Sequence, residues 1–202
     1  AAALLARRGW RVGLCEQKAF PRGKVCGEFV STRIRPALRA LELEGEFDRL
    51  AGPPVARVLA CPCGAGSRPL HGRLLPDGDG HWPRALARDQ FDQLLMERAR
   101  QGGATIVQPC TVTAVAGTLA TGFQVATSKA GILQARAVIM AHGLAQRGAM
   151  NPIGREDSGG RRTARRGREF LCFKAHFTGC ALPADTIALA AGPGLYAGLV
   201  RT

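Results

Sequence analysis

At 202 residues, the chain has room for one ordinary domain or parts of two, and 46% hydrophobic residues are normal for a globular protein and far from a disordered one. The net charge of +13 raises the question of an anionic partner, but 5% aromatic residues leave little for base-stacking platforms. Arginine far outnumbers lysine, a bias that a GC-rich coding sequence also produces.

No run of about 18 apolar residues is present, so no transmembrane helix is expected. The seven cysteines follow no disulfide framework. Cys61-Pro-Cys63 has no second pair at zinc-finger spacing, so free thiols in a reducing cytoplasm are expected.

In chain order, residues 1–8 are rich in Ala and Leu and predict a helix that stops at Gly9. Residues 11–15 predict a short buried strand that ends at Glu16. Residues 19–30 contain Pro21, Gly23 and Gly27 and read as a loop. Ile34, Leu38, Leu41 and Leu43 recur at helical spacing within 32–50, with a break expected near Gly45. Residues 55–63 and 70–75 predict strands with turns at 64–68 and 76–80.

A strong helix is predicted over 88–101, where Phe91, Leu94, Leu95 and Ala99 share a face. Asp89 falls in its first turn and Gly102-Gly103 ends it. Strands are predicted at 105–107, 111–115 and 123–127, and a very apolar one over 135–141, ending at His142-Gly143. Residues 146–169 are dense in Arg and Gly and read as a solvated loop. Residues 170–178 alternate as a strand does, and 194–199 read as another.

Three blocks carry the chemistry. The first is Phe20-Pro-Arg-Gly-Lys-Val-Cys-Gly-Glu28, behind the strand that ends in Glu16. The second is Arg88-x-x-Phe-Asp92-x-x-Leu95, and the third Val138-Ile-Met-Ala-His-Gly143. In this order they resemble the FAD-dependent oxidoreductases of the geranylgeranyl reductase and para-hydroxybenzoate hydroxylase type. Lys174-Ala-His-Phe177 and Gly194-Leu-Tyr-Ala-Gly198 look like that family's substrate-domain strands.

The resemblance implies an α/β fold: a partial Rossmann-like FAD-binding domain with an inserted, mainly antiparallel β substrate domain. The expected divisions are 1–54 and 86–145 for the FAD-binding domain, 55–85 for a substrate-domain excursion, and 146–202 for the Arg-rich loop and further substrate-domain strands. It also implies roles. Glu16 would accept hydrogen bonds from the adenosine ribose. Arg22 and Lys24 would lie near the pyrophosphate. Cys26 and Gly27 would pass close to the flavin, where a missing Cβ lets backbone approach. Val112 would meet the adenine through its backbone, and Gly143 would lie under the cofactor. Arg88 has two readings, a cofactor contact or an i,i+4 ion pair with Asp92.

The chain departs from the family pattern in three places. The G-x-G-x-x-G strand-turn-helix is absent from the chain, and the later Gly-Asp motif would lie beyond Thr202. His142-Gly143 stands where the aromatic hydroxylases carry Asp-Gly, which together with the Cys26-Gly27-Glu28 loop favours the reductase-like branch.

The expectation is a cytoplasmic flavoprotein oxidoreductase acting on a small apolar or aromatic substrate by reduction, hydroxylation or halogenation, with NAD(P)H as a possible electron donor. An isoprenoid substrate would make it membrane-peripheral. The chain as given is expected to be an inactive fragment. The competing reading is a nucleic-acid-binding module built on the Arg-rich segment 155–168.

Overall fold

The computed structural model describes residues 1–64, 66–143 and 171–202. Helix α1 (Ala2–Arg7) and strands β1 (Gly13–Cys15) and β2 (Phe29–Val30) come first. A 3-10 turn (Thr32–Ile34), α2 (Arg35–Ala40) and α3 (Glu44–Leu50) follow. Next are β3 (Arg57–Pro62), β4 (Leu70–Arg73), β5 (Arg84–Ala85) and α4 (Arg88–Gln101). The rest is strand: β6 (Thr105–Val107), β7 (Val112–Thr118), β8 (Gly122–Thr127), β9 (Ile132–Ala135), β10 (Thr186–Gly192) and β11 (Leu195–Leu199). The elements fall into two compact units, Ala1–Phe20 with Arg100–Leu171 and Pro21–Ala99 with Cys172–Thr202.

In the first unit α1 buries Ala3 and Ala6, and the chain turns out of it at Gly9, whose φ of +82° suits a residue without Cβ. The turn is closed by the Trp10 N–H on the Leu5 carbonyl at 3.1 Å. The chain then enters β1, which runs parallel to β6 with Cys15 opposite Val107. Strands β7, β8 and β9 form an antiparallel meander. The β7–β8 turn depends on Gly117, at φ +106°, where a Cβ would lie 2.0 Å from the Gly122 carbonyl oxygen.

In the second unit the core is Leu38, Leu43, Phe47, Leu86 and Phe91, with Phe47 and Phe91 edge to face at 5.8 Å. Arg35 is buried in this layer. Its guanidinium grips Asp48 at 2.8 and 2.7 Å and lies 5.3 Å from the centre of the Phe47 ring. A four-stranded mixed sheet has the order β11-β10-β3-β4, with β10 parallel to β3 and the other pairs antiparallel. The short ladder β2–β5 pairs Phe29 with Ala85.

The helix-like stretch 32–50 breaks at residues 41–43, just before Gly45. Glu42 takes φ +56°, and the Leu43 N–H returns to the Leu38 carbonyl at 2.8 Å. This left-handed stop swings Leu43 into the core, and Gly45 becomes part of the first turn of α3.

The strand expected over 135–141 is absent: β9 ends at Ala135, and no described strand pairs with residues 136–143. An apolar run becomes a strand only beside a partner, and here Ile139 stays 64% exposed. Residues 171–178, expected as a strand, likewise join no ladder. Phe170 and the Arg-rich segment, including 155–168, lie outside the described residues. No helix among the described residues is long and apolar enough to cross a membrane.

Candidate functional site

In the first unit the site begins where β1 stops. The Glu16 N–H donates to the Val107 carbonyl at 3.1 Å, and its own carbonyl accepts the Cys110 N–H at 2.7 Å. The backbone is thereby clamped on both sides at the carboxyl end of a parallel pair. The half-buried carboxylate accepts the Lys18 N–H through Oε1 at 3.1 Å. Val112 opens β7 opposite Thr127, beside a register shift. Gly143 is exposed, with φ +75°.

In the second unit the loop 21–28 folds against the start of α4. Asp92 collects two cations: Lys24 Nζ at 2.7 Å, and Arg88 through Nε and Nη2 at 3.0 and 2.9 Å. Burial pushes the Asp92 carboxyl up, but Arg88 and Lys24 outweigh it and hold the group below the ordinary carboxylate range. The i,i+4 ion pair between Arg88 and Asp92 is formed. Cys26 lies near the Arg88 guanidinium and its sulfur accepts the Glu28 N–H at 3.5 Å, so Lys24 and Arg88 meet on one acid with Cys26 beside them. Arg22 is half buried, and Gly27 is exposed with nothing within 4 Å of a Cβ built on it.

A second constellation adjoins the first. Glu28, buried to 5% exposure, takes φ +57°. Its Oε1 accepts the Arg88 backbone N–H at 2.7 Å and so caps the N-terminus of α4 from outside the helix. The same oxygen takes the Lys174 ammonium, and Oε2 meets His176 Nε2 at 2.9 Å. Burial raises the Glu28 carboxyl, while Lys174, the Arg88 N–H and His176 together hold it below its ordinary value. Lys174 and His176 are two residues apart on an extended segment, so both face Glu28.

Glu28, Asp92, Lys174 and His176 were not among the residues singled out for the site. The signal was present in part, since Glu28 closes the Cys-Gly-Glu block and Asp92 belongs to the second one. Nothing in the sequence couples Glu28 to a Lys-x-His pair 146 residues away.

No family model matches the chain. The chain is 31% identical over 115 residues to the flavin-dependent halogenase rdc2 of Metacordyceps chlamydosporia, covering 57% of this chain and 21% of that protein. Among solved structures it resembles the myxobacterial chondrochloren halogenase CndH, an FAD-dependent halogenase, at TM-score 0.55 and 24% identity over 67% of this chain and 32% of that one. It also resembles PqsL, a probable FAD-dependent monooxygenase from Pseudomonas aeruginosa, at TM-score 0.57 and 19% identity over 71% and 39%. The fold is therefore mixed α/β, part of the architecture of FAD-dependent halogenases and monooxygenases, with antiparallel sheet alongside. The chain spans about a fifth of the curated relative and a third to two-fifths of these solved chains.

Proposed function

We propose that the chain is the FAD-holding part of a flavin-dependent oxidoreductase of the halogenase or monooxygenase kind. The observation that carries this is Glu16: an acceptor-only carboxylate, half buried, on a clamped backbone at the carboxyl end of β1. Such a group suits a ribose diol, which offers two donors, and disfavours a phosphate in the same place. The likeness in fold to flavoenzymes supports the same reading.

Bound FAD would supply the two-electron chemistry through its isoalloxazine. Glu16 would hold the adenosine ribose, and Val112 would address the adenine through its backbone. Arg22, with the Lys24–Arg88–Asp92 cluster, would face the pyrophosphate; two cations against one acid leave that cluster net positive. Cys26, the open Gly27 and Gly143 would offer backbone to the flavin and ribityl chain.

The substrate is a small apolar or aromatic molecule and the electron donor NAD(P)H. The 31% identity with a halogenase favours the oxidative branch over the reductase reading drawn from Cys26-Gly27-Glu28. Turnover belongs to a longer protein than this chain, which we expect to be inactive alone. Its seven free cysteines suit a reducing cytoplasm.

The test is FAD binding to the chain, followed by flavin fluorescence, with FMN as comparison because it lacks the adenosine. Glu16→Gln should weaken FAD about tenfold or more, as expected for losing hydrogen bonds to a charged acceptor, and leave FMN unchanged. A chain that binds neither flavin, or a variant that holds FAD as tightly as the parent, would overturn the assignment.

A further inference from the structure

The first unit holds a pair of thiols with no part in the flavin reading. Cys15 is the last residue of β1 and is half buried; Cys110 is 2% exposed. The backbone fixes their approach. Cys15 is in register with Val107, and the Cys110 N–H donates to the carbonyl of Glu16, the residue after Cys15, at 2.7 Å.

The two thiols are close enough to act on each other electrostatically. Their surroundings differ. Cys110 adjoins the tight turn after β8, in which the Ala130 N–H donates to the Thr127 hydroxyl oxygen and that hydroxyl donates to the Gly131 carbonyl, each at 2.9 Å. Burial pushes the Cys110 thiol up, but the polar groups of this turn and the Cys15 thiol outweigh it and hold it below the ordinary cysteine range. Burial, followed by the neighbouring Cys110, pushes the Cys15 thiol up. Cys110 is therefore the thiol of the pair that ionises more readily.

We propose that Cys15 and Cys110 form a peroxide-reactive dithiol, a modification site at the end of the strand that carries Glu16. The oxidant class is a small hydroperoxide, hydrogen peroxide being the simplest, because only Cys15 presents surface to solvent. The Cys15 sulfur attacks the peroxide oxygen while its proton passes to Cys110. The O–O bond breaks, Cys15 becomes a sulfenic acid, and the departing hydroxide recovers the proton as water. The Cys110 thiolate then attacks the Cys15 sulfur, forms the S–S bond and expels hydroxide. Overall one thiol, one thiolate and one peroxide give a disulfide, one water and one hydroxide. Two electrons leave the sulfurs, and a dithiol reductant reverses the change.

The experiment uses the full chain, reduced, exposed to hydrogen peroxide, blocked with a maleimide, digested and analysed by mass spectrometry. The expected product is one dominant cross-linked peptide pair, Cys15 with Cys110, two hydrogens lighter than its reduced parts. In Cys110→Ser, Cys15 should oxidise at least tenfold more slowly and stop at a trappable sulfenic acid. In Cys15→Ser, the shielded Cys110 should stay reduced.

Repeating the oxidation on the parent chain in denaturant needs no variant to fold, and there the preference for this pair should vanish. Cross-links spread without preference over all seven cysteines of the native chain would overturn the proposal. So would an unchanged oxidation rate of Cys15 in Cys110→Ser.

Discussion

Glu28→Gln isolates one charge at the most connected buried group of the second unit. The amide keeps the shape and still offers an oxygen to the Arg88 N–H, so the cap on α4 survives. What is lost is the anion between Lys174 and His176. His176 is 57% exposed and is rescued by water. Lys174 retains only 17% of its side-chain exposure and becomes a nearly buried, uncompensated cation.

Removing one partner of a fully buried pair costs about 3 to 5 kcal/mol. The residual access to Lys174 sets the figure lower, at about 2 to 3 kcal/mol. For a chain of this size that is a fall in melting temperature of about 4 to 12 °C.

The sign with pH follows from the depressed Glu28 carboxyl. Its stabilisation is present above the unfolded value of about 4.3 and is lost as pH falls through the lower folded value. Urea unfolding of parent and variant, run at neutral pH and at a series of acidic pH values, should show two curves that converge on acidification. Equal stability of parent and variant at neutral pH would refute the claim that the Glu28 charge compensates Lys174. So would a gap that persists unchanged at acid pH.

Two further tests address other parts of the chain. Asp48→Ala leaves the buried Arg35 guanidinium on the Phe47 ring without its bidentate partner, and should cost about 2 to 4 kcal/mol in urea unfolding. Arg35 holds the Asp48 carboxyl below its ordinary value, against burial. The loss should therefore be full above about pH 4 and shrink as pH falls through the folded value. Gly117→Ala places a Cβ 2.0 Å from the Gly122 carbonyl oxygen at φ +106°, a clash the β7–β8 turn cannot absorb in place. A cost of about 3 kcal/mol, with faster amide exchange in β7 and β8, is expected.

Where the sequence held its own signals, the elements were legible. Helix α4 spans Arg88–Gln101 as its periodicity, Asp89 and Gly102-Gly103 indicate, and β6 likewise matches. Helix α2 stops a few residues before Gly45, at Glu42, whose left-handed conformation accompanies the burial of Leu43.

Extended segments were the harder case. Alternation in 170–178 marks a chain with two faces, and does not say what those faces meet. One meets the Glu28 carboxylate through Lys174 and His176 in place of a neighbouring strand. The same limit governed the site. Arg88 and Asp92 are four residues apart and could be paired on paper, whereas the partners of Glu28 are set by tertiary folding alone.

The parallel pairing of β3 with β10 also orders events in time. The ladder joins Arg57 to Thr186, and the Arg57–Asp185 ion pair closes a loop of 128 residues. Closure entropy for such a loop is about 4 kcal/mol before its constant part, and no local contact offsets it. The meander β7-β8-β9 has no such debt and can form on its own as soon as it is made. On a ribosome, Pro21–Ala99 must therefore wait with the edge of β3 unpaired while the other unit is synthesised and folds. The four-stranded sheet is complete only when β10 and β11 arrive, and its interval of greatest exposure to misassembly falls before that point.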